Sequence, residues 1–360
     1  MAGGRGERFW PVSREKMPKH LITLFGNRSF LQQAVDRVLP LVPLENILVV
    51  TNASQAAAAR NQLPKLPAKN VIAEPVGRDT CAAVALGAAV AGRRSTGAVM
   101  AVLPADQVIP EEKKFQRVLA DCFDLAARGQ VMVTIGIKPS EPATGYGYIR
   151  VGNVLPPPAG ADYQTVFSKA EQFVEKPHFD RAQEYVSSGQ YRWNAGMFVW
   201  SFVTITQGLE KHQPEMAAAC RRWFQAAGTP RLGKVLAADY PALPKISIDY
   251  ALMEHARNVV VADGSFAWDD LGSWTALGRH LPADAAGNCA SADFIQVGSE
   301  GNIIFDARTK NRAPVAAAGL RNCILVLTDD AVLMAHKSQA QKVKELVRKL
   351  ADDKKYKKLV

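Results

Sequence analysis

Long apolar stretches are missing from this sequence of 360 residues. No run of eighteen apolar residues occurs, and the amino terminus has no apolar signal region. A helix that crosses a bilayer needs about 20 mostly apolar residues, and a secretory signal needs an apolar core of roughly 7 to 15. We therefore expect neither a membrane span nor export, and predict a cytoplasmic protein.

Cysteine is also scarce, and its pattern excludes two classes of small stabilised domain. The five cysteines are odd in number and never form a Cys-x-x-Cys pair: Cys81, Cys122, Cys220, Cys289 and Cys323. This spacing argues against a disulfide framework and against a zinc site.

Positive charge is in excess, but most of it is local. The net charge is +10, and residues 337–358 contribute six of those charges, because they hold nine Lys or Arg against three acidic residues. Tyr356 is the single aromatic residue in this tail. The tail lacks a nucleic-acid-binding motif, so the pattern favours a solvated helical carboxyl terminus over a nucleic-acid patch.

The first half of the chain alternates helical and strand patterns. Residues 30–39 and 111–127 are predicted as helices, and the apolar runs at 47–51, 98–103 and 131–137 are predicted as strands. Continuous apolar runs separated by helices are typical of parallel strands covered on both faces. The pattern predicts an α/β fold with a Rossmann-like, mostly parallel central sheet.

The pattern changes further along. Residues 249–256 look helical, and residues 266–270 are predicted as a short strand entering a turn. After about residue 280, short β segments alternate with Gly or Asn turns until a helix at 339–350. We predict a large domain over residues 1–280 and a small β-helix-like appendage with a terminal helix over residues 281–360.

A glycine-rich basic segment occupies residues 2–19. Gly3, Gly4 and Gly6 allow the backbone to approach an anion closely, and Arg8 and Lys19 add positive charge. The segment lacks the Gly-Lys-Ser/Thr ending of a Walker A loop and the Gly-x-Gly-x-x-Gly of a dinucleotide site. It indicates a triphosphate-binding loop, with a flexible basic terminus as the alternative.

Two carboxylates follow predicted strands. Asp106 comes just after the run 98–103, and Asp269 and Asp270 lie in Trp-Asp-Asp-Leu-Gly-Ser-Trp. Ligands of open α/β sheets bind at the carboxyl ends of strands, and Mg²⁺ takes one or two protein carboxylates with water and substrate completing its shell. A pair of such residues could bind Mg²⁺, whereas Asp269 is better explained as a turn former.

Other polar residues suit a sugar or a base. Glu175 and Lys176 end a predicted strand, where a carboxylate suits sugar hydroxyls and an ammonium suits a phosphate, although an exposed ion pair is the favoured explanation when these two residues are taken alone. Glycine turns add Gly145 and Asn194. The loop residues Glu74 and Arg78 precede a helix and could pair with the edge of a guanine.

The order of these motifs resembles the mannose-1-phosphate guanylyltransferases of the sugar-1-phosphate nucleotidyltransferase family. The motifs are Ala-Gly-Gly-x-Gly-x-Arg, Pro-Lys, Glu-Pro-x-Gly-Arg-x-Thr, Pro-Ala-Asp, Thr-Gly-Tyr-Gly-Tyr-Ile, Phe-Val-Glu-Lys-Pro, Asn-Ala-Gly-Met-Phe and Trp-x-Asp-Leu-Gly-Ser-Trp. They cover residues 2–274, and the tail resembles that of the same family. The resemblance implies a nucleotidyltransferase domain with a mixed, mostly parallel sheet.

The resemblance also implies a role for each motif. It assigns the GTP phosphates to Gly3, Gly4, Gly6 and Arg8, the transferred or leaving phosphates to Lys19, the guanine to Glu74 and Arg78, Mg²⁺ to Asp106 and Asp270, the sugar to Gly145, Glu175 and Asn194, and the sugar phosphate to Lys176. Catalysis would rest on Arg8, Lys19, Asp106 and Asp270. Ser247, Ile248 and Asp249 match the family without an assigned role.

The implied reaction converts GTP and mannose 1-phosphate into GDP-mannose and pyrophosphate. The alternatives are the same reaction with another nucleotide and sugar pair, or a catalytically idle relative that regulates a partner. In the family a core strand precedes the glycine-rich loop. This sequence begins at Met1 with no strand before the loop, so we expect either that the strand lies upstream of an alternative start or that the sheet lacks its usual centre. In either case we expect the loop to be less rigid in this chain. We also expect a homodimer formed through the carboxyl-terminal region.

Overall fold

The computed structural model describes residues 1–4, 6–310 and 312–360. The chain forms two compact units, one of Met1–Gly3 with Gln32–Trp268 and one of Gly4–Leu31 with Asp269–Val360. The domain boundary that the sequence predicts at residue 280 is not tested by this division and stays a prediction. The helices are α1 (Phe30–Val38), α2 (Ala56–Gln62), α3 (Asp79–Arg94), α4 (Glu112–Arg128), α5 (Phe179–Ser188), α6 (Phe202–His212), α7 (Pro214–Ala226), α8 (Leu232–Asp239), α9 (Trp274–Leu277) and α10 (Val343–Asp352).

Fourteen named strands accompany these helices in the described part of the chain. They are β1 (Val49–Asn52), β2 (Val71–Glu74), β3 (Val99–Val102), β4 (Met132–Ile137), β5 (Tyr148–Leu155), β6 (Phe167–Val174), β7 (Tyr191–Ser201), β8 (Val259–Asp263), β9 (Cys289–Ala290), β10 (Phe294–Val297), β11 (Ile303–Asp306), β12 (Val315–Ala318), β13 (Cys323–Leu327) and β14 (Val332–His336).

The first unit contains a mixed sheet with the order β3-β7-β4-β8-β6-β5, and β1 and β2 form a separate parallel pair. The predicted mixed sheet is confirmed. Strands β3, β4, β5 and β8 run in one direction, but β7 lies between β3 and β4 and is antiparallel to both. Neighbouring strands are therefore mostly antiparallel. The apolar pattern missed this because strands covered on both faces look alike in either direction.

Two hydrophobic clusters cover the faces of this sheet. Alternate residues of β7 enter them, with Phe198 and Trp200 in the cluster that contains α3, and Met197 and Val199 in the cluster that contains α4. This alternation follows from the two-residue period of a strand. The alanine-rich α3 is buried along most of its length, which places its small side chains where close packing needs them.

Met1 and Ala2 form main-chain hydrogen bonds with β1 on one side and with the residues that follow β3 on the other. The Ala2 N–H donates to the Val50 carbonyl at 2.8 Å, and the Ala105 N–H donates to the Met1 carbonyl at 2.9 Å. Ala2 also forms a parallel bridge with Thr51. Main-chain hydrogen bonds on two sides thus hold the residues that enter the glycine-rich segment.

The short strand predicted over residues 266–270 is wrong. The strand in this region is β8, which ends at Asp263, and no named strand spans the described residues 266–270. In place of a strand partner, the Ala267 N–H donates a hydrogen bond to the Glu111 carboxylate at 2.7 Å. Aromatic residues of this stretch therefore reach the core from a loop.

The second unit contains the predicted β-helix-like appendage, which is confirmed. Strands β9, β11 and β13 stack in parallel, as do β10 and β12, and β14 closes the first stack antiparallel to β13. Buried asparagines connect successive turns. Asn302 Nδ2 donates to Asn288 Oδ1 at 2.8 Å, and Asn302 Oδ1 accepts from the Cys323 N–H at 2.9 Å.

Helix length and hydropathy give a separate result. Among the described residues, no helix is both long enough and apolar enough to cross a membrane.

Candidate active site

The glycine-rich segment of the second unit folds back on itself around Gly6. Gly4 and Gly6 have φ angles of +90° and +62°, a backbone region that favours glycine. A Cβ atom on Gly6 would lie 2.6 Å from Lys19 Cβ and 2.8 Å from the Lys19 backbone nitrogen. Ser13 Oγ donates to the Gly6 carbonyl at 2.7 Å. Residue 6 therefore has to be glycine for Lys19 to approach.

Two predicted cations contact the turn that carries Asp270. Lys19 Nζ donates to the Asp270 carbonyl at 2.5 Å, and Arg8 Nη1 donates to the Gly272 carbonyl at 3.4 Å. Lys19 is only 7% exposed, and its ammonium lies 5.7 Å and 5.8 Å from the ring centroids of Phe9 and Phe30. The structure thus brings together three predicted residues separated by some 250 positions in the sequence.

The Asp270 turn has an uncommon backbone conformation. Leu271 has a φ of +47°, which is rare for a residue with a branched side chain and concentrates at functional sites. A Cβ at Gly272 would lie 3.1 Å from one Asp270 carboxylate oxygen. The glycine therefore leaves room around the carboxylate that the resemblance assigns to Mg²⁺.

Asp269 organises this turn, as expected of a turn former. Its Oδ1 accepts the Leu271 N–H at 2.8 Å, and its carboxylate pairs with Arg279 and His280 at 2.9 Å. Burial acts to raise the pKa of Asp269, but the hydrogen bonds from His280 and Leu271 and the charge of Arg279 hold that pKa below its usual value. Asp269 is therefore a buried anion that fixes the turn rather than a metal ligand.

The carboxyl terminus supports the same segment, a contact that the sequence did not predict. Trp10 Nε1 donates to the Leu359 carbonyl at 2.7 Å, and Trp274 Nε1 donates to the Trp10 carbonyl at 3.0 Å. Arg14 pairs with Asp330 at 2.8 Å. The interpretation of the tail as only a solvated helix is thus incomplete, because the last residues fix the glycine-rich segment.

In the first unit, Glu74 and Arg78 converge on one segment. Tyr240 Oη donates to the Glu74 carboxylate at 3.1 Å, while Arg78 donates to the carbonyls of Tyr240 and Pro241 at 2.9 Å and 2.5 Å. Burial raises the pKa of Glu74 to about 7; the Tyr240 hydroxyl opposes this rise and the charge of Asp79 adds to it. Glu74 therefore changes protonation near neutral pH.

The first unit also holds Gly3 and Asp106. Asp106 lies beyond the end of β3, directly after Ala105, whose N–H is bonded to Met1. A Cβ on Gly3 would have no heavy atom within 4 Å, in contrast to Gly6. Both residues thus lie near the point where Met1 and Ala2 meet the sheet.

The predicted sugar residues lie around a second glycine turn of the first unit. The Asn194 N–H donates to the Gly147 carbonyl at 2.8 Å. A Cβ on Gly147 would lie 2.8 Å from Glu175 Oε2 and 3.5 Å from Asn194 Cβ. The glycine therefore allows Glu175 and Asn194 to approach one another. Gly145 is exposed, and a Cβ there would have no heavy atom within 4 Å.

Glu175 and Lys176 do form an ion pair, which was the alternative explanation for them. Lys176 is exposed on 61% of its side chain, and such an exposed pair is worth roughly 0 to 1 kcal/mol. The backbone adds a further observation, because Lys176 has a φ of +42°. A simple surface pair does not require that conformation, whereas functional sites often do.

The donors for a metal ion are limited. Among the described residues, no group of three or more His, Cys, Asp and Glu side chains is arranged to hold a metal. Mg²⁺ does not need one, since it usually binds one or two carboxylates together with waters and phosphate oxygens. Asp106 and Asp270 lie in different units, and each is an oxygen donor of the kind that Mg²⁺ prefers.

Comparisons with known proteins agree on one family. A family model described as nucleotidyl transferase matches residues 1–286, and a model described as a MannoseP isomerase/GMP-like beta-helix domain matches residues 292–350. The chain is 36% identical over 359 residues to the mannose-1-phosphate guanylyltransferase of Escherichia coli (strain K12), covering 98% of this chain and 73% of that protein.

Two further comparisons extend this match. The chain is 38% identical over 356 residues to the xanthan biosynthesis protein XanB of Xanthomonas campestris pv. campestris (strain B100), covering 97% of this chain and 72% of that protein. A crystal structure from Thermus thermophilus, described as a mannose-1-phosphate geranyltransferase, matches with a TM-score of 0.83 and 36% identity over 97% of each chain.

Proposed function

Because the chain belongs to the nucleotidyl transferase family, as its first 286 residues show, we propose that it transfers GMP from GTP to mannose 1-phosphate. The products are GDP-mannose and pyrophosphate. Relatives named mannose-1-phosphate guanylyltransferase, which match nearly the whole chain, support this choice of substrates. They agree with the resemblance in the motifs of residues 2–274.

One observation carries the proposal. The glycine-rich segment, two cations and the Asp270 turn, which are far apart in the sequence, meet within the second unit through Lys19 Nζ on the Asp270 carbonyl and Arg8 on the Gly272 carbonyl. Arg and Lys are the side chains that bind phosphate oxygens best. The presence of two cations beside a glycine-rich turn supports a triphosphate site here.

The proposed reaction is a single in-line displacement. An oxygen of the sugar phosphate forms a bond to the α-phosphorus of GTP, and the bond to the bridging oxygen breaks, so that its electron pair leaves with pyrophosphate. The attacking oxygen is already anionic at neutral pH, so no general base is needed. Arg8 and Lys19 hold the triphosphate and Lys176 holds the sugar phosphate, which offsets the repulsion between anions.

Nucleotidyltransferases of this kind generally use a divalent metal, and we propose Mg²⁺ here. The resemblance assigns the metal to Asp106 and Asp270, each of which supplies an oxygen donor of the kind that Mg²⁺ prefers, and a bound divalent cation would neutralise charge on the phosphates. The space left at Gly272 beside the Asp270 carboxylate supports the assignment.

Location and assembly are part of the proposal. We expect the protein in the cytoplasm. A homodimer through the carboxyl-terminal region is supported by exposed apolar side chains on β10 and β14, where Val297 is 75% and Met334 is 67% exposed. Analytical ultracentrifugation of the protein and of the double variant Val297→Lys, Met334→Lys tests this, and equal sedimentation of the two would contradict the dimer.

Pyrophosphate release tests the reaction itself. We expect release with GTP and mannose 1-phosphate together and little with either alone. Replacing GTP by ATP, UTP or dTTP, or mannose 1-phosphate by glucose 1-phosphate, should lower kcat/KM at least tenfold. Higher turnover with UTP or dTTP and glucose 1-phosphate would favour the alternative substrate pair, and no turnover with any pair would favour an idle regulatory relative.

A further inference from the structure

A buried segment of the first unit begins with a polar residue whose role the motifs leave unassigned. Asp249–Met253 forms a π-helix, and Ile248, Ala251 and Leu252 are fully buried. The Ile248 N–H donates to the Thr80 hydroxyl at 2.8 Å. Because π-turns are rare and are often found at functional sites, the first residue of this turn is a candidate for a defined role.

The carboxylate of Asp249 holds the side chain of Asn194. Asn194 Nδ2 donates to Asp249 Oδ1 at 2.7 Å, and Asn194 Oδ1 accepts from the Gly196 N–H at 3.1 Å. The amide is therefore fixed at both ends. A primary amide has two N–H donors, and the bond to Asp249 uses one of them.

A second carboxylate lies beside the same asparagine. Glu175 Oε2 and Asn194 Cβ are 2.8 Å and 3.5 Å from the position that a Cβ on Gly147 would take. Burial raises the pKa of Asp249, the hydrogen bond from Asn194 opposes the rise, and the charges of Glu175 and Asp79 add to it. Asn194 thus offsets part of the cost of placing two carboxyl groups close together.

We propose that Asp249 is a positioning residue for the sugar substrate, which fixes the Asn194 amide so that its second N–H meets one hydroxyl oxygen of the hexose beside the Glu175 carboxylate. An amide donor and a carboxylate acceptor can bind two hydroxyls of a hexose 1-phosphate, with one hydroxyl as acceptor and the other as donor. The inference rests on the proposed function of the chain.

The test uses the full chain with Asp249→Asn, and Glu254→Gln as the control on an exposed carboxylate that follows the same π-helix. We expect Asp249→Asn to raise KM for mannose 1-phosphate roughly tenfold, because the neutral amide oxygen of the new side chain accepts the Asn194 hydrogen bond more weakly than a carboxylate does. KM for GTP should change less than about twofold. The control should leave both values unchanged.

Deoxy analogues separate positioning from general damage. Both proteins are assayed with mannose 1-phosphate lacking the hydroxyl at position 2, 3, 4 or 6. The ratio between wild type and Asp249→Asn should fall to about one for the single analogue that lacks the oxygen contacted by Asn194, and stay large for the others. The same analogue should be the one that is insensitive to Asn194→Ala.

Several results would overturn the inference. These are an equal rise in KM for both substrates, the same penalty with all four analogues, or different analogues for the Asp249 and Asn194 variants. If Asp249→Asn shows no cooperative unfolding transition, Asp249→Glu, which displaces the carboxyl group by one methylene, is put through the same comparison. A wild-type protein without turnover would instead refute the proposed function.

Discussion

The two units build their parts of the candidate site in different ways. In the second unit, the cations Arg8 and Lys19 bind main-chain carbonyls of the Asp270 turn, and glycines with positive φ allow this close approach. In the first unit, Glu74 and Asn194 are held by the side chains of Tyr240 and Asp249. Under the proposed roles, the phosphate site is supported by backbone contacts, and the base and sugar sites are supported by side chains from distant segments.

This difference explains which parts a sequence reveals. A site built from backbone contacts needs glycine at particular positions, because only glycine adopts such φ angles without cost, and a glycine pattern is visible in one short stretch. A site held by side-chain hydrogen bonds needs only two compatible residues, which can lie anywhere in the chain. If the contrast is real, variants in the two units should fail in different kinetic parameters.

The largest effect is expected at the Asp270 turn. Asp270→Asn should lower kcat by roughly 10²- to 10³-fold at limiting Mg²⁺, comparable to the loss of a transition-state contact of about 3 to 4 kcal/mol. Excess Mg²⁺ should restore part of the activity. Steady-state turnover across a Mg²⁺ titration measures this, with the exposed Asp293→Asn as control. Wild-type turnover at limiting Mg²⁺ would rule out Asp270 as a metal ligand.

The sugar side should respond in KM. Lys176→Ala should raise KM for mannose 1-phosphate about 10- to 100-fold, since a charge-assisted contact to phosphate is lost, and should change KM for GTP far less. Lys169→Ala, on the exposed face of β6, is the matched control. Equal effects on both substrates would remove Lys176 from the sugar-phosphate site and weaken the comparison.

The buried Glu74 predicts a pH-dependent stability. Its folded-state pKa of about 7 lies above its ordinary value of 4.5, so the folded protein binds the extra proton between these values. Stability from this group is complete below about pH 4.5 and is lost as the pH rises through about 7. Glu74→Gln should therefore be more stable than wild type at pH 8 by up to about 3 kcal/mol, and by much less at pH 5.

Denaturant unfolding at both pH values measures this difference. Glu184→Gln, which changes an exposed carboxylate, should show no such pH dependence. A constant difference between Glu74→Gln and wild type from pH 5 to pH 8 would show that Glu74 is ionised throughout. The pKa of Glu74 would then be that of an ordinary surface carboxylate. Such a result would count against the difference between the two units.

The smallest expected effect is a difference in stability between substitutions at Gly6 and at Gly3. Gly6→Ala should destabilise the protein by about 1 to 3 kcal/mol, because Ala disfavours positive φ and its Cβ would clash with Lys19. Gly3→Ala should cost less than about 0.5 kcal/mol, since a Cβ at Gly3 has no neighbour within 4 Å. Thermal unfolding of both variants tests this, and equal losses would contradict the role assigned to Gly6.

Much of the fold was predictable from the sequence, for identifiable reasons. Helix α1 follows an amphipathic period and strand β4 follows a continuous apolar run, and their bounds match the predicted 30–39 and 131–137 closely. The insertion of β7 between β3 and β4 was not predictable, because strand order depends on pairing between distant segments. The strand expected at 266–270 failed because aromatic residues in a loop resemble those in a strand.

The candidate site divides in the same way. Gly4, Gly6, Arg8, Lys19 and Asp270 could be named from motifs, and the structure places them in one unit. Their individual roles stay predictions. Tyr240 and the Leu359 carbonyl that binds Trp10 had no signal, because nothing in their own neighbourhoods distinguishes a residue that supports a site from one that packs. Asp249 matched a motif but had no role until its contact with Asn194 was known.

The central claim is that the chain joins GMP to mannose 1-phosphate, and ³¹P NMR of one reaction tests it most directly. With GTP, mannose 1-phosphate and Mg²⁺, we expect GDP-mannose and pyrophosphate to appear in equal amounts while both substrates disappear. Pyrophosphate formed together with free GMP, or no product from this pair alongside turnover of another pair, would contradict it.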